Sequence, residues 1–194
     1  MGLFTRADVL PPEEVSWLFD AWAWLEAALG GAGGRRPELA TPSDEHFPIG
    51  ACTDAELPGI LLDRIQRFTG TEDWPCRLVA QSRRPRTWSQ PGLVEQVESG
   101  APAGTFRLKD GERPHAIITY DPGLVHSPED LVATLAHELA HYLLAGVASA
   151  PPGGWHVHEL ATDLAVVHLG FGIFAANSVF RFEQHQDGLA SGWS

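Results

Sequence analysis

The sequence predicts an α+β fold: a small mixed or antiparallel sheet packed on two C-terminal helices, with an N-terminal helical portion covering another side. Three observations carry this. The run AIITY, Ala116 to Tyr120, is rich in β-branched residues and is stopped by Asp121, Pro122 and Gly123, so it reads as a strand. Two further short segments have strand character, and four longer ones carry helical periodicity or helix start signals. At 194 residues and 44% hydrophobic content, the chain is long enough to bury one sizeable core.

In chain order, Pro11 and Pro12 precede Glu13 to Leu29, where Val15, Leu18, Trp22, Leu25 and Leu29 share one helical face. Trp17, Trp22 and Trp24 cluster there, and packing against the rest of the fold is the expected use of such large rings. Gly30 to Gly34 and Pro37 end this helix in a link. Residues 38–54 read as irregular connection, with Asp54 placed to cap a helix over Ala55 to Thr69 that buries Leu57, Ile60, Leu61, Ile65 and Phe68. Cys76 to Ala80 and Gly104 to Leu108 are the additional strands, joined by a loop over Gln81 to Pro102. Ser127, Pro128, Glu129 and Asp130 form a helix start, with a capping hydroxyl, proline in the first turn and acids at the positive end of the dipole, and that helix should reach Ala145. After Pro151 to Gly154, a last helix is expected over His156 to Leu169, ended or bent at Gly170 or Gly172. Residues 1–100 thus make an N-terminal helical portion with its connecting segments, and residues 101–194 hold the strand-and-helix region.

Charge narrows the partners. Asp and Glu number 25 against 13 Lys and Arg, a net charge of −12, so a phosphate backbone is repelled over most of the surface and no nucleic-acid partner is expected. The short basic cluster Arg83, Arg84 and Arg86 reads as a solvated loop. Cys52 and Cys76 are too few for a disulfide framework and lack the close pairing of a thiolate zinc site. No signal-peptide segment opens the chain and polar groups interrupt its longest apolar stretches, so the expectation is a soluble cytoplasmic protein with no membrane partner.

The residues that carry chemistry lie in the 128–145 helix. His137, Glu138, Leu139, Ala140 and His141 make the pattern H-E-x-x-H, whose four-residue step puts both imidazoles on one face where they can share one Zn²⁺ ion. Glu138, beside the first ligand, is placed to take a proton from an attacking water and return it to a leaving amine. In a chain with 9 His the pattern arises by chance about 0.03 times, so its position inside an amphipathic helix matters. Leu131, Val132, Leu135, Leu139, Leu143 and Leu144 supply that apolar side.

A catalytic zinc takes three protein ligands and leaves a position open. The metzincin extension needs Gly and His where this chain has Leu144 and Val147, so it is excluded. Glu159 and Asp163, four apart on the next helix, can supply an oxygen ligand and an acceptor for the free N–H of a ligand imidazole, while His156 and His158 compete for the third position. His168 lies about 13 Å further along the helix than Glu159, closer to a substrate than to the metal. Tyr120, Tyr142 and His168 are the candidate donors to an oxyanion.

The segments TLAHELAHYLL, Thr134 to Leu144, and ELATDLAVVHLGFGIF, Glu159 to Phe174, resemble the gluzincin metallopeptidases, the thermolysin-like clan, in which an E-x-x-x-D helix follows the H-E-x-x-H helix. The resemblance covers roughly residues 104 to 180 and is similar to the minimal gluzincin domains of small bacterial proteins. It implies Glu159 as the third zinc ligand, Asp163 as the partner of a ligand histidine, a protein or peptide substrate, and AIITY as the edge strand along which that substrate lies. No counterpart of the separate transition-state histidine or tyrosine of the large members aligns. The implied activity is zinc-dependent hydrolysis of peptide bonds with Glu138 as general base. The alternative is a zinc-binding regulatory or interaction module with little or no turnover.

Overall fold

The computed structural model describes residues 10–29, 38–82, 103–109 and 115–178. The expected link at 30–34, the arginine cluster at 83–86 and most of the 81–102 loop lie outside the described residues. Within them the chain is α+β, with the helices α1 (Pro12–Leu29), α2 (Leu57–Thr69), α3 (Pro128–Ala145) and α4 (His158–Val166) and the strands β1 (Cys76–Ala80), β2 (Gly104–Lys109) and β3 (His115–Tyr120).

The sheet has the order β1-β3-β2 and is mixed, β1 running parallel to β3 and β2 antiparallel to it. AIITY is therefore the central strand and not an edge. Its β-branched run suits a strand bonded on both sides, and Ala116 and Ile118 are fully buried against α3. The edge strand that meets α3 is β2.

One core joins the two halves of the chain. Leu25 of α1 and Leu57, Leu61 and Ile65 of α2 are buried in the same cluster as Leu131, Leu135 and Leu139 of α3, Ala165 of α4 and Phe171 and Phe174 beyond it. The start signals act partly as expected. At α2, Glu56 rather than Asp54 closes the N-terminus, its carboxylate accepting from the Thr53 amide at 2.9 Å and the Thr53 hydroxyl at 2.8 Å. At α3 the proline and the acids Glu129 and Asp130 occupy the first turn, but Ser127 makes no side-chain cap.

Beyond α4 the helix widens over Val167–Phe171 and continues helical through residue 178. The bend is at Gly170 (φ +98°), where a Cβ would fall 2.2 Å from the Glu38 carbonyl oxygen, so only glycine lets residues 38–40 cross there and the Ala40 amide bond Gly170 O at 2.9 Å. The whole run Trp155–Ser178 has mean hydropathy 1.4 and is long and apolar enough to span a bilayer, more continuous than the sequence reading allowed. Here Ala161, Ala165, Val166, Phe171 and Phe174 spend that apolarity on the core.

The tryptophans of α1 do more than fill space. Trp17 donates its indole N–H to Pro152 O at 2.7 Å and Trp24 to Ser149 Oγ at 2.9 Å, fastening α1 to the loop between α3 and α4. Trp22 meets the buried His168 ring edge-on at 4.9 Å.

Candidate metal centre

Helix α3 turns one face to the core and sets His137 and His141, one turn apart, on the other. Helix α4 lies against it and presents Glu159 and Asp163, again one turn apart. The result is a three-atom cluster: His137 Nε2 to His141 Nε2 is 3.0 Å, His137 Nε2 to Glu159 Oε2 is 3.5 Å, and His141 Nε2 to Glu159 Oε2 is 3.4 Å. Donors about 2.0–2.1 Å from one tetrahedral ion stand about 3.3 Å from each other, so these separations match the face of a zinc coordination tetrahedron.

Donor chemistry points the same way. Asp163 Oδ1 sits 2.9 Å from His137 Nδ1, so that nitrogen carries the proton and, in the neutral ring, Nε2 turns a lone pair into the cluster. Two imidazoles and one carboxylate give three protein donors, a group that could hold a metal ion. Asp163 therefore touches the ring it was expected to orient, and that ring is His137.

Glu138 stands beside the cluster, buried in the angle between α3 and β2. The approach depends on Gly104, where a Cβ would lie 2.9 Å from Glu138 Oε1 and 2.8 Å from Thr134 Cγ2. Burial pushes the Glu138 carboxyl up to about 7, with the charge of His137 opposing and that of Glu159 reinforcing the shift. Burial disfavours charge on His137 as well, but the Asp163 hydrogen bond and the charges of Asp163, Glu138 and Glu159 outweigh it, and its pKa is raised. His141 is lowered, first by burial and then by the charge of His137.

A cleft of about 880 Å³ is lined in part by His137, Glu138 and Asp163, while His141 and Glu159 are not among its lining residues. Trp17 and Leu18 of α1 form one wall, and Leu160, Leu164 and Val167 another. The N-terminal helix is thus part of the cleft.

The remaining candidates divide. His158 lies at the start of α4 with Nδ1 4.0 Å from the outer oxygen of Glu159, and it is not one of the three converging donors. His156 is exposed in the preceding turn and also stands outside the cluster. His168 turns toward Trp22 and Glu26 of α1 and does not line the cleft, because nine residues at about 100° each put it half a turn round the helix from Glu159. Tyr142 packs on Trp74 and Phe106, and neither it nor Tyr120 lines the cleft. Three neighbours were missed by sequence reasoning: Gly104, Phe106 and Thr162. Their only sequence signals, a glycine opening a strand and a hydroxyl three residues after Glu159, are too common to single them out.

No protein-family model, curated protein or solved structure matches the chain.

Proposed function

We propose that this chain is a zinc-dependent peptidase of gluzincin type, with His137, His141 and Glu159 as ligands, Glu138 as general base and Asp163 holding His137. The observation that carries the reading is the convergence of Nε2, Nε2 and Oε2 at 3.0–3.5 Å beside a buried glutamate that, with His137, lines a cleft. A zinc ion in that cluster would polarise a scissile carbonyl and lower the pKa of the attacking water.

The chain's own residues would do the rest. Glu138, whose carboxyl burial raises to about 7 in the metal-free protein, would accept a proton from water and give it back to the leaving amine within one turnover. Asp163 keeps the proton of His137 on Nδ1, so the ring stays in its ligating tautomer. Gly104 leaves room for the Glu138 carboxylate against the edge strand, and Leu18 of α1 with Leu160 and Leu164 of α4 give the cleft apolar lining.

The test is Glu138→Gln. The variant should bind zinc as the parent does, about one ion per chain, and lose cleavage of a peptide library, because an amide cannot take the proton. Equal cleavage by variant and parent would sink the proposed role of Glu138. Zinc in both proteins with cleavage by neither selects the regulatory or binding module instead.

A further inference from the structure

The two imidazoles of the cluster are held in different ways. His137 has a carboxylate 2.9 Å from Nδ1. Among the described residues, His141 Nδ1 has Thr162 Oγ1 at 3.5 Å, the limit of a hydrogen bond; that hydroxyl donates to His158 O at 2.9 Å and so can only accept from Nδ1–H across the long separation. A ring on a single-turn tether, with so weak an anchor on its free nitrogen, needs another restraint to keep Nε2 aimed at Glu159.

Aromatic neighbours surround it instead. The Phe106 ring is almost parallel to the His141 ring, 7° apart with centroids at 6.3 Å, and the His158 ring lies at 5.1 Å and 21°. Both flanking rings are themselves backed: Phe106 stacks on Tyr142 at 5.5 Å, and His158 faces Trp155 at 6.1 Å. Phe106 also follows Gly104 by two residues on β2, so one face of the strand serves the site twice, with a missing side chain under Glu138 and a ring beside His141.

We infer that Phe106 and His158 are positioning residues for the metal centre, fixing the plane of His141 by ring packing as Asp163 fixes His137 by hydrogen bonding. The inference rests on the metal-centre reading above. It makes His158 a part of the site through its ring face and not through its nitrogens.

The experiment measures zinc affinity of the full chain by competition with a chromophoric chelator, and records the visible spectrum of the cobalt(II)-loaded protein, which reports ligand geometry without any substrate. Phe106→Leu and His158→Leu keep apolar volume and remove the ring; Phe106→Tyr and His158→Phe keep a ring. Each Leu variant should bind zinc about 3- to 10-fold more weakly, the worth of one ring pair, and should shift the cobalt bands. The Tyr and Phe variants should restore affinity and spectrum. Leu variants that match the parent in both readouts overturn the inference, and so does His158→Phe losing zinc as fully as His141→Ala, which would make His158 a ligand. A parent protein that takes up neither zinc nor cobalt refutes the metal-centre reading itself, a result separate from either of these.

Discussion

Helices α3 and α4 supply the candidate centre from opposite environments. On α3, Glu138 is 5% exposed and the side chains of His137 and His141 are 27% and 14% exposed. On α4, the side chains of Glu159 and Asp163 are 74% and 67% exposed. The α3 groups are fixed by the core behind them, since Leu131, Leu135 and Leu139 alternate with them around the same helix. The α4 acids reach in from water and keep most of their hydration, which spares the fold the cost of burying two carboxylates. Burial tunes the base and orders the imidazoles. Exposure supplies negative charge at little cost.

If that division is right, the α4 acids should matter to metal and hardly at all to folding. Glu159→Ala should reduce zinc affinity the most of the α4 substitutions, about 1000-fold or more, because it removes one of three protein ligands. The unfolding free energy of its metal-free form should stay within about 0.5 kcal/mol of the parent, as for other exposed sites. His156→Ala should change neither. Isothermal titration with zinc and urea unfolding in chelator measure the two quantities. Retained affinity in Glu159→Ala, with affinity lost in His156→Ala, would break the comparison at its centre.

Asp163→Asn sharpens it. The amide oxygen can still accept from His137 Nδ1, but the charge that helps raise the His137 pKa is gone. Zinc affinity should fall by about 10- to 100-fold, the usual effect of losing such a partner. For the parent, binding should also weaken as pH falls, since the raised pKa of His137 means that a proton must leave before Nε2 can ligate. A titration that is flat from pH 8 to pH 5.5 would contradict that proton release.

What the sequence made legible follows from how local each signal is. The spacing of His137 and His141, and of Glu159 and Asp163, needs only helix geometry, and both pairs fall on single faces as expected. The α+β class and most element bounds rest on equally local cues, such as the run Cys76–Ala80 and the stop at Asp121. Strand order was not local. AIITY became the central strand because β2, its antiparallel neighbour just upstream, covers one edge while β1 pairs with the other from much earlier in the chain. The same holds for Phe106, which reaches His141 only because β2 packs on α3, and for Trp17, whose place in the cleft depends on a hydrogen bond spanning 135 residues. For His168 the rise along the helix is not enough: nine residues at about 100° each also turn it to the face opposite Glu159, where it meets Trp22 and Glu26.

The smallest effect expected is also the most direct measure of what burial does on α3. With its carboxyl raised to about 7 in the folded, metal-free protein, Glu138 stabilises the fold fully only below the unfolded value near 4.5, where both states hold the proton. As pH rises from there through about 7, the unfolded chain releases the proton and the folded one resists, so stability falls; above about 7 the loss is complete. Partial access of water at the cleft mouth reduces the size of the loss, which should come to about 2 kcal/mol. Glu138→Gln has no proton to lose. In chelator, it should therefore match the parent in urea unfolding at pH 4.5 and exceed it by about 2 kcal/mol at pH 8. A gap of the same size at both pH values would mean that the glutamate is not tuned by burial, and the contrast between the two helices would lose its electrostatic half.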